Sequence, residues 1–127
     1  MHPMAPTCRT LLVEDDGDIA ALVTAVLDIA NDDFEVVGVV ESADDALEVV
    51  ASAHPDVVLL DGGIGGRSGV DVARDLLASY PHLAIILFSA HIADDTAAAA
   101  MRVGVRECVE KVRVMELPTI LQTHRPN

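Results

Sequence analysis

Tryptophan is absent from this chain of 127 residues, and Phe34, Phe88 and Tyr80 are its only phenyl or phenol rings. Ala, Val and Leu must therefore fill the interior, and little remains for stacking nucleobases or sandwiching an isoalloxazine. Positive charge is also scarce. Eight basic residues, of which Lys111 is the sole lysine, face 21 acidic ones, for a formal net charge of −13. Such a surface repels phosphate backbones and anionic lipid, which argues against direct contact with nucleic acid or membrane. No apolar stretch reaches the ~18 residues of a membrane-spanning helix. Met1-His2-Pro3-Met4 lacks the basic start and apolar core of a signal peptide. Cys8 and Cys108 stand at opposite ends of the chain, without metal-like spacing, and read as two free thiols of a reducing cytoplasm.

What is there is a regular alternation of short apolar runs and helical periods. Leu11 to Val13 form a first strand-like run, after which Ile19, Leu22, Val23, Val26, Leu27 and Ala30 follow the spacing of an amphipathic helix, with Asp16 or Asp18 as its cap. Residues 34–40 form a second strand. Ser42 opens a helix carrying Ala43, Ala46, Leu47 and Val50 that ends near His54-Pro55. The run Asp56 to Leu60, bounded by Pro55 and glycines, reads as a strand buried on both faces. Val70, Ala73, Leu76 and Leu77 mark a helix that stops at Tyr80-Pro81, since proline disfavours helix in the residue before it. A fourth strand over 83–88 precedes an alanine-rich helix over 94–103, with Gly104 as its C-cap. A fifth strand is expected over 105–109, and a last helix over 117–122 with Pro118 in its first turn. This is (βα)5, which calls for right-handed crossovers and a doubly wound, mainly parallel five-stranded sheet. Residues 1–127 are expected to be one domain, with a core over about 8–124 and a polar, frayed tail from Thr123 to Asn127.

The polar residues lie at the carboxyl ends of the strands, where open α/β sheets place their chemistry. Glu14, Asp15 and Asp16 follow the first strand, Asp61 ends the third, Ser89 the fourth, and Lys111 follows the fifth. In the flavodoxin-like strand order 2-1-3-4-5, the first and third strands flank the point where the order reverses. Carboxylates ~5 Å apart repel by about 3 kcal/mol at an effective dielectric of ~20. Such a cluster binds a cation, holds a proton or forms a salt bridge. Oxygen-only ligands favour a hard ion, and Mg²⁺ fits best. Asp61 can act as a covalent nucleophile, as carboxylates do in aspartyl phosphates. Lys111 and the Ser89 hydroxyl can then neutralise and bond the incoming oxygens. Each residue alone has a plainer reading, as a loop acid, a loop serine or a solvated lysine; Asp16 is best taken as a helix cap.

Together these motifs resemble the receiver domain of two-component response regulators, over nearly the whole chain. Leu11-Leu12-Val13-Glu14-Asp15-Asp16 resembles that family's first-strand acidic motif. Pro55 to Asp61, with Gly69 eight residues on, is similar to its phosphoacceptor motif; Phe88-Ser89-Ala90 and the Gly104…Lys111 spacing are similar to its later ones. The resemblance implies that Asp61 accepts a phosphoryl group from a histidine kinase or histidine phosphotransfer protein. It also implies Mg²⁺ held directly by Asp15 and Asp61, through water by Glu14, and by the backbone carbonyl of Gly63.

Three positions depart from the family pattern. Gly65 stands where proline is usual, in a loop also holding Gly62, Gly63 and Gly66, which predicts mobility without metal. Val112 replaces the usual cis-proline after the lysine; a cis bond there would cost about 3 kcal/mol, so a trans bond with a displaced Lys111 is an open outcome. Cys108 occupies the place of the switch aromatic. The expected output surface is the face made by helix 94–103, strand 105–109 and the last helix, used for an effector or for self-association. Of the competing readings, a haloacid-dehalogenase-type phosphatase wants a second aspartate two residues after Asp61, where Gly63 stands. A pseudo-receiver, an interaction module with a vestigial site, is kept open by Val112 and Cys108 but opposed by the complete set of site residues.

Overall fold

Buried β-branched runs become the central strands, and the apolar stripes between them become the helices that cover both faces. The computed structural model describes residues 7–30 and 33–125. In chain order the elements are β1 (Cys8–Val13), α1 (Gly17–Ile29), β2 (Phe34–Val40), α2 (Ala43–Ala53), β3 (Val57–Asp61), β4 (Gly63–Ile64), β5 (Arg67–Ser68), α3 (Gly69–Ser79), β6 (Ala84–Ser89), α4 (Asp94–Val103), β7 (Glu107–Glu110) and α5 (Leu117–His124). The main sheet runs β2-β1-β3-β6-β7, with every pairing parallel. Setting aside the small β4-β5 hairpin, this is the expected flavodoxin-like 2-1-3-4-5 order. Among the described residues, no helix is long and apolar enough to cross a membrane.

Alternation along the strands splits the core in two. Leu11, Val13, Val58, Leu60, Ile85 and Leu87 pack under α2, α3 and α4. Leu12, Leu59, Ile86, Phe88 and Val109 pack under α1 and α5. Because β1, β3 and β6 are covered on both sides, their polar groups can reach solvent only at strand ends.

Helix starts follow their caps. Asp16, not Asp18, caps α1: its Oδ1 accepts from the Asp18 amide at 2.9 Å and the Ile19 amide at 3.3 Å. Ser42 Oγ accepts from the Asp45 amide and Ser68 Oγ from the Asp71 amide, each at 3.1 Å. Gly104, at φ 110°, closes α4 in the left-handed region.

Two expectations need correction, and two connections take shapes of their own. The fifth strand begins at Glu107 rather than Val105, because the Val105 amide is taken by Ala100 O, 3.0 Å away at the end of α4. The glycine-rich loop folds as a small hairpin: Gly63 pairs with Ser68 and Ile64 with Arg67, across a turn with Gly65 at φ 58° and Gly66 at φ 82°. Positive φ at both central residues suits a tight hairpin and is cheap only for glycine. A 3₁₀ segment, Lys111–Glu116, fills the connection to α5. Finally, α5 runs past the expected end at Gln122, through Thr123 and His124, whose Nε2 lies 2.7 Å from Glu107 Oε1. Met1 to Met4, Pro126 and Asn127 lie outside the described residues.

Candidate functional site

The carboxyl edge of the sheet draws the acidic residues together. Glu14 continues the β1 ladder, its amide donating to Val40 O at 2.9 Å, and this turns its side chain into the protein, where the residue is only 2 % exposed. Asp61 ends β3 opposite Phe88 of β6. Carboxylate oxygens of Glu14, Asp15 and Asp61 lie within 4.8 Å of one another, with Asp15 on the exposed side.

Lys111, the residue after β7, closes the cluster. Its Nζ is 3.0 Å from Glu14 Oε1 and 3.3 Å from Asp61 Oδ1, and its side chain is only 18 % exposed. It is therefore not a solvated surface lysine. The Lys111–Val112 bond is trans, since the described residues contain no cis peptide. The lysine is not displaced, because the 3₁₀ turn beginning at Lys111 lets its side chain fold back over the Phe88 ring, 5.9 Å from the centroid. Val112 itself points outward, 86 % exposed.

The electrostatics of this group are those of a buried acid beside a second acid. Burial, together with a hydrogen bond shared with Asp61, raises the Glu14 carboxyl to about 7, although Lys111 and the Asp16 amide pull it down. Burial pulls on Lys111 too, but Glu14 and Asp61 outweigh it and the ammonium is held above its ordinary value. Glu14 Oε2 accepts from the Asp16 amide at 3.2 Å. Glu14 Oε1, close as it is to Lys111, has no donor in hydrogen-bonding geometry. A buried, under-satisfied carboxylate oxygen beside two further carboxylates is the donor set a hard cation takes.

Ser89 ends β6, and its Oγ donates to its own loop, to His91 O at 3.4 Å. Gly62 follows Asp61, donating to Phe88 O at 3.3 Å; Gly69 donates to Gly62 O at 2.8 Å and so closes the loop on itself. A side chain at Gly69 would collide with the Asp61 carbonyl and with Leu87, so glycine is required there. Gly63 opens the hairpin two residues after Asp61. Cys108 does not join the cluster. It is half-buried against the core cluster on the α2, α3 and α4 side of the sheet, and burial and Glu107 raise its thiol, keeping it protonated. The contribution of the Gly62 backbone was not legible in the sequence, because its neighbour Phe88 is distant in the chain.

A family model for the response regulator receiver domain matches residues 10–122. The chain belongs to that family. Regulatory protein LuxO of Vibrio vulnificus (strain YJ016) is 35 % identical over 100 residues, 79 % of this chain and 21 % of that protein. Protein-glutamate methylesterase/protein-glutamine glutaminase 5 of Myxococcus xanthus (strain DK1622) is 37 % identical over 119 residues, 92 % of this chain and 32 % of that protein. The chain thus spans about a fifth to a third of the length of these curated relatives. Among solved structures, the signal receiver domain of a LuxO repressor protein from Vibrio parahaemolyticus superposes with a TM-score of 0.80 at 26 % identity, covering 94 % of this chain and 90 % of that one. The BeF3-activated N-terminal receiver domain of Klebsiella pneumoniae RstA gives 0.79 at 30 % identity, with 91 % and 97 % covered. Receiver domains of two-component signal transduction are generally phosphoacceptors.

Proposed function

We propose that residues 8–124 act as one cytoplasmic receiver domain in which Asp61 takes a phosphoryl group from a histidine kinase or histidine phosphotransfer protein. The observation that carries this reading is the convergence of Glu14, Asp15 and Lys111 on a strand-end aspartate. The Asp61 carboxylate attacks phosphorus, an oxygen–phosphorus bond forms, and the bond to the donor imidazole breaks with the electron pair leaving on nitrogen. Glu14, Asp15 and Asp61, with the Gly63 carbonyl, would hold Mg²⁺, which when bound neutralises charge on the phosphoryl oxygens. Lys111, already 3.3 Å from Asp61 Oδ1, exchanges that contact for a phosphoryl oxygen. The Ser89 hydroxyl gives up its 3.4 Å bond to His91 O and donates to another. Slow hydrolysis of the aspartyl phosphate resets the domain. The output is altered docking of an effector or a second copy on the α4-β7-α5 face.

Incubation with Mg²⁺ and a small acyl phosphate, followed by intact-mass measurement, tests the reading. One added phosphoryl group, absent in Asp61→Ala, is the expected result. No addition to the natural chain would leave an interaction module with a vestigial site, a reading that the intact Glu14, Asp15, Asp61, Ser89 and Lys111 set does not favour.

A further inference from the structure

Resting on the reading of Asp61 and Ser89 just given, we propose that Gly62 is a positioning residue for Ser89. By carrying no side chain, it leaves the space in which the serine hydroxyl rests and from which it reaches the phosphoryl group. A methyl group at Gly62 would lie 2.5 Å from Ser89 Oγ and 2.8 Å from Ser89 Cβ. Ordinary carbon contacts are ~3.5–4.0 Å. The backbone does not demand glycine here. Gly65, Gly66 and Gly104 have positive φ, and Gly62 does not, so an L residue at 62 is excluded by contact with Ser89 rather than by strain.

Rotation about the serine χ1 moves Oγ away but leaves Cβ where it is. A side chain at 62 must therefore push the Gly62 peptide away from β6. That peptide is joined to β6 by the 3.3 Å bond from its amide to Phe88 O, and it follows Asp61 directly. Displacing it shifts the nucleophile and the hydroxyl relative to each other. The hydroxyl is otherwise held by one long bond, to His91 O.

A four-member cycle tests this: the natural chain, Gly62→Ala, Ser89→Gly and the double variant, each followed by thermal melting and by amide-spectrum titration with beryllofluoride and Mg²⁺. Gly62→Ala is expected to weaken beryllofluoride binding about tenfold, the loss of one hydrogen bond to a charged group. Ser89→Gly should weaken it equally, and the double variant should be no weaker than Ser89→Gly. Melting should show the same pattern: Gly62→Ala lowers the midpoint in the natural background and not in the Ser89→Gly background, where the colliding Cβ is gone. Unchanged affinity in Gly62→Ala overturns the proposal. So does a loss that multiplies with that of Ser89→Gly, or a double variant that fails to fold when Ser89→Gly folds. If the natural chain itself binds no beryllofluoride, the reading of Asp61 has failed, and the melting cycle still judges the Gly62–Ser89 contact separately.

Discussion

With its side chain 1 % exposed and its pKa raised from 4.5 to about 7, Glu14 binds a proton in the folded chain that the unfolded chain has already lost. The sign follows from linkage. This group's stabilisation of the metal-free fold is fully present below pH 4.5, and it disappears as pH rises to about 7. The difference corresponds to about 3 kcal/mol. Glu14→Gln, a permanent neutral analogue, should therefore melt higher than the natural chain at pH 8 without metal and level with it near pH 5. A natural chain more stable than Glu14→Gln at pH 8 contradicts the assignment. Mg²⁺ at the proposed site would take the ionised carboxylate, so its affinity should fall by up to about tenfold per pH unit below neutrality and flatten above it. Asp15→Asn should weaken Mg²⁺ binding; unchanged affinity removes Asp15 from the site. Lys111 occupies the same oxygens as the metal would. Lys111→Ala should keep the fold, bind Mg²⁺ more tightly, and lose the wide amide shifts that beryllofluoride produces in the natural chain. If those shifts persist, Lys111 is not part of the response.

Among the α-helices, α4 buries the fewest residues. It buries Ala100 alone, whereas α3 buries five residues, and Ala93 gives it no side-chain cap although the backbone there is extended, at φ −68° and ψ 152°. Ala93→Ser supplies the missing acceptor without changing that backbone, and should stabilise the protein by about 1 kcal/mol, seen as a higher melting midpoint. No gain would mean the first turn of α4 is held by something other than its cap. The other elements show where sequence is a sufficient guide. Asp16, Ser42 and Gly104 gave their helix ends because each acts through neighbours one to four residues away. The β4-β5 hairpin was invisible because two-residue strands have no period to detect, and a run of glycines suggests freedom as readily as a tight turn. The start of β7 was misplaced because Val105 is as buried as a strand residue while its amide serves the end of α4. At the site, the strand-end acids and Lys111 were legible by position. The perturbed Glu14 and the Gly62–Ser89 contact were not, since both depend on which strands are neighbours.

Across the whole molecule, the sheet separates a half built on α2, α3 and α4 from one built on α1 and α5. Glu14 follows, and Asp61 ends, a strand packed on both sides. Ser89 leads directly into the segment 90–93 and α4, which buries Ala100 alone. Regions with few buried apolar contacts open at the lowest free energy, and they are where a local charge change is converted into a surface change. Cys108 is too small to report the movement by turning inward, but it packs against the same core cluster as Ala99 and Val103 of α4. Repacking there moves the helix rather than a single ring. We therefore predict that phosphorylation of Asp61, or beryllofluoride with Mg²⁺, changes amide hydrogen-exchange protection across 90–103 while leaving α1 and α3 as they were. Cys108→Tyr should bias the same segment in the unphosphorylated chain, at an overpacking cost of about 1–3 kcal/mol. Protection that changes only across 62–69 would mean that the signal stays in the β4-β5 hairpin, and that the output surface lies on that loop instead of on α4.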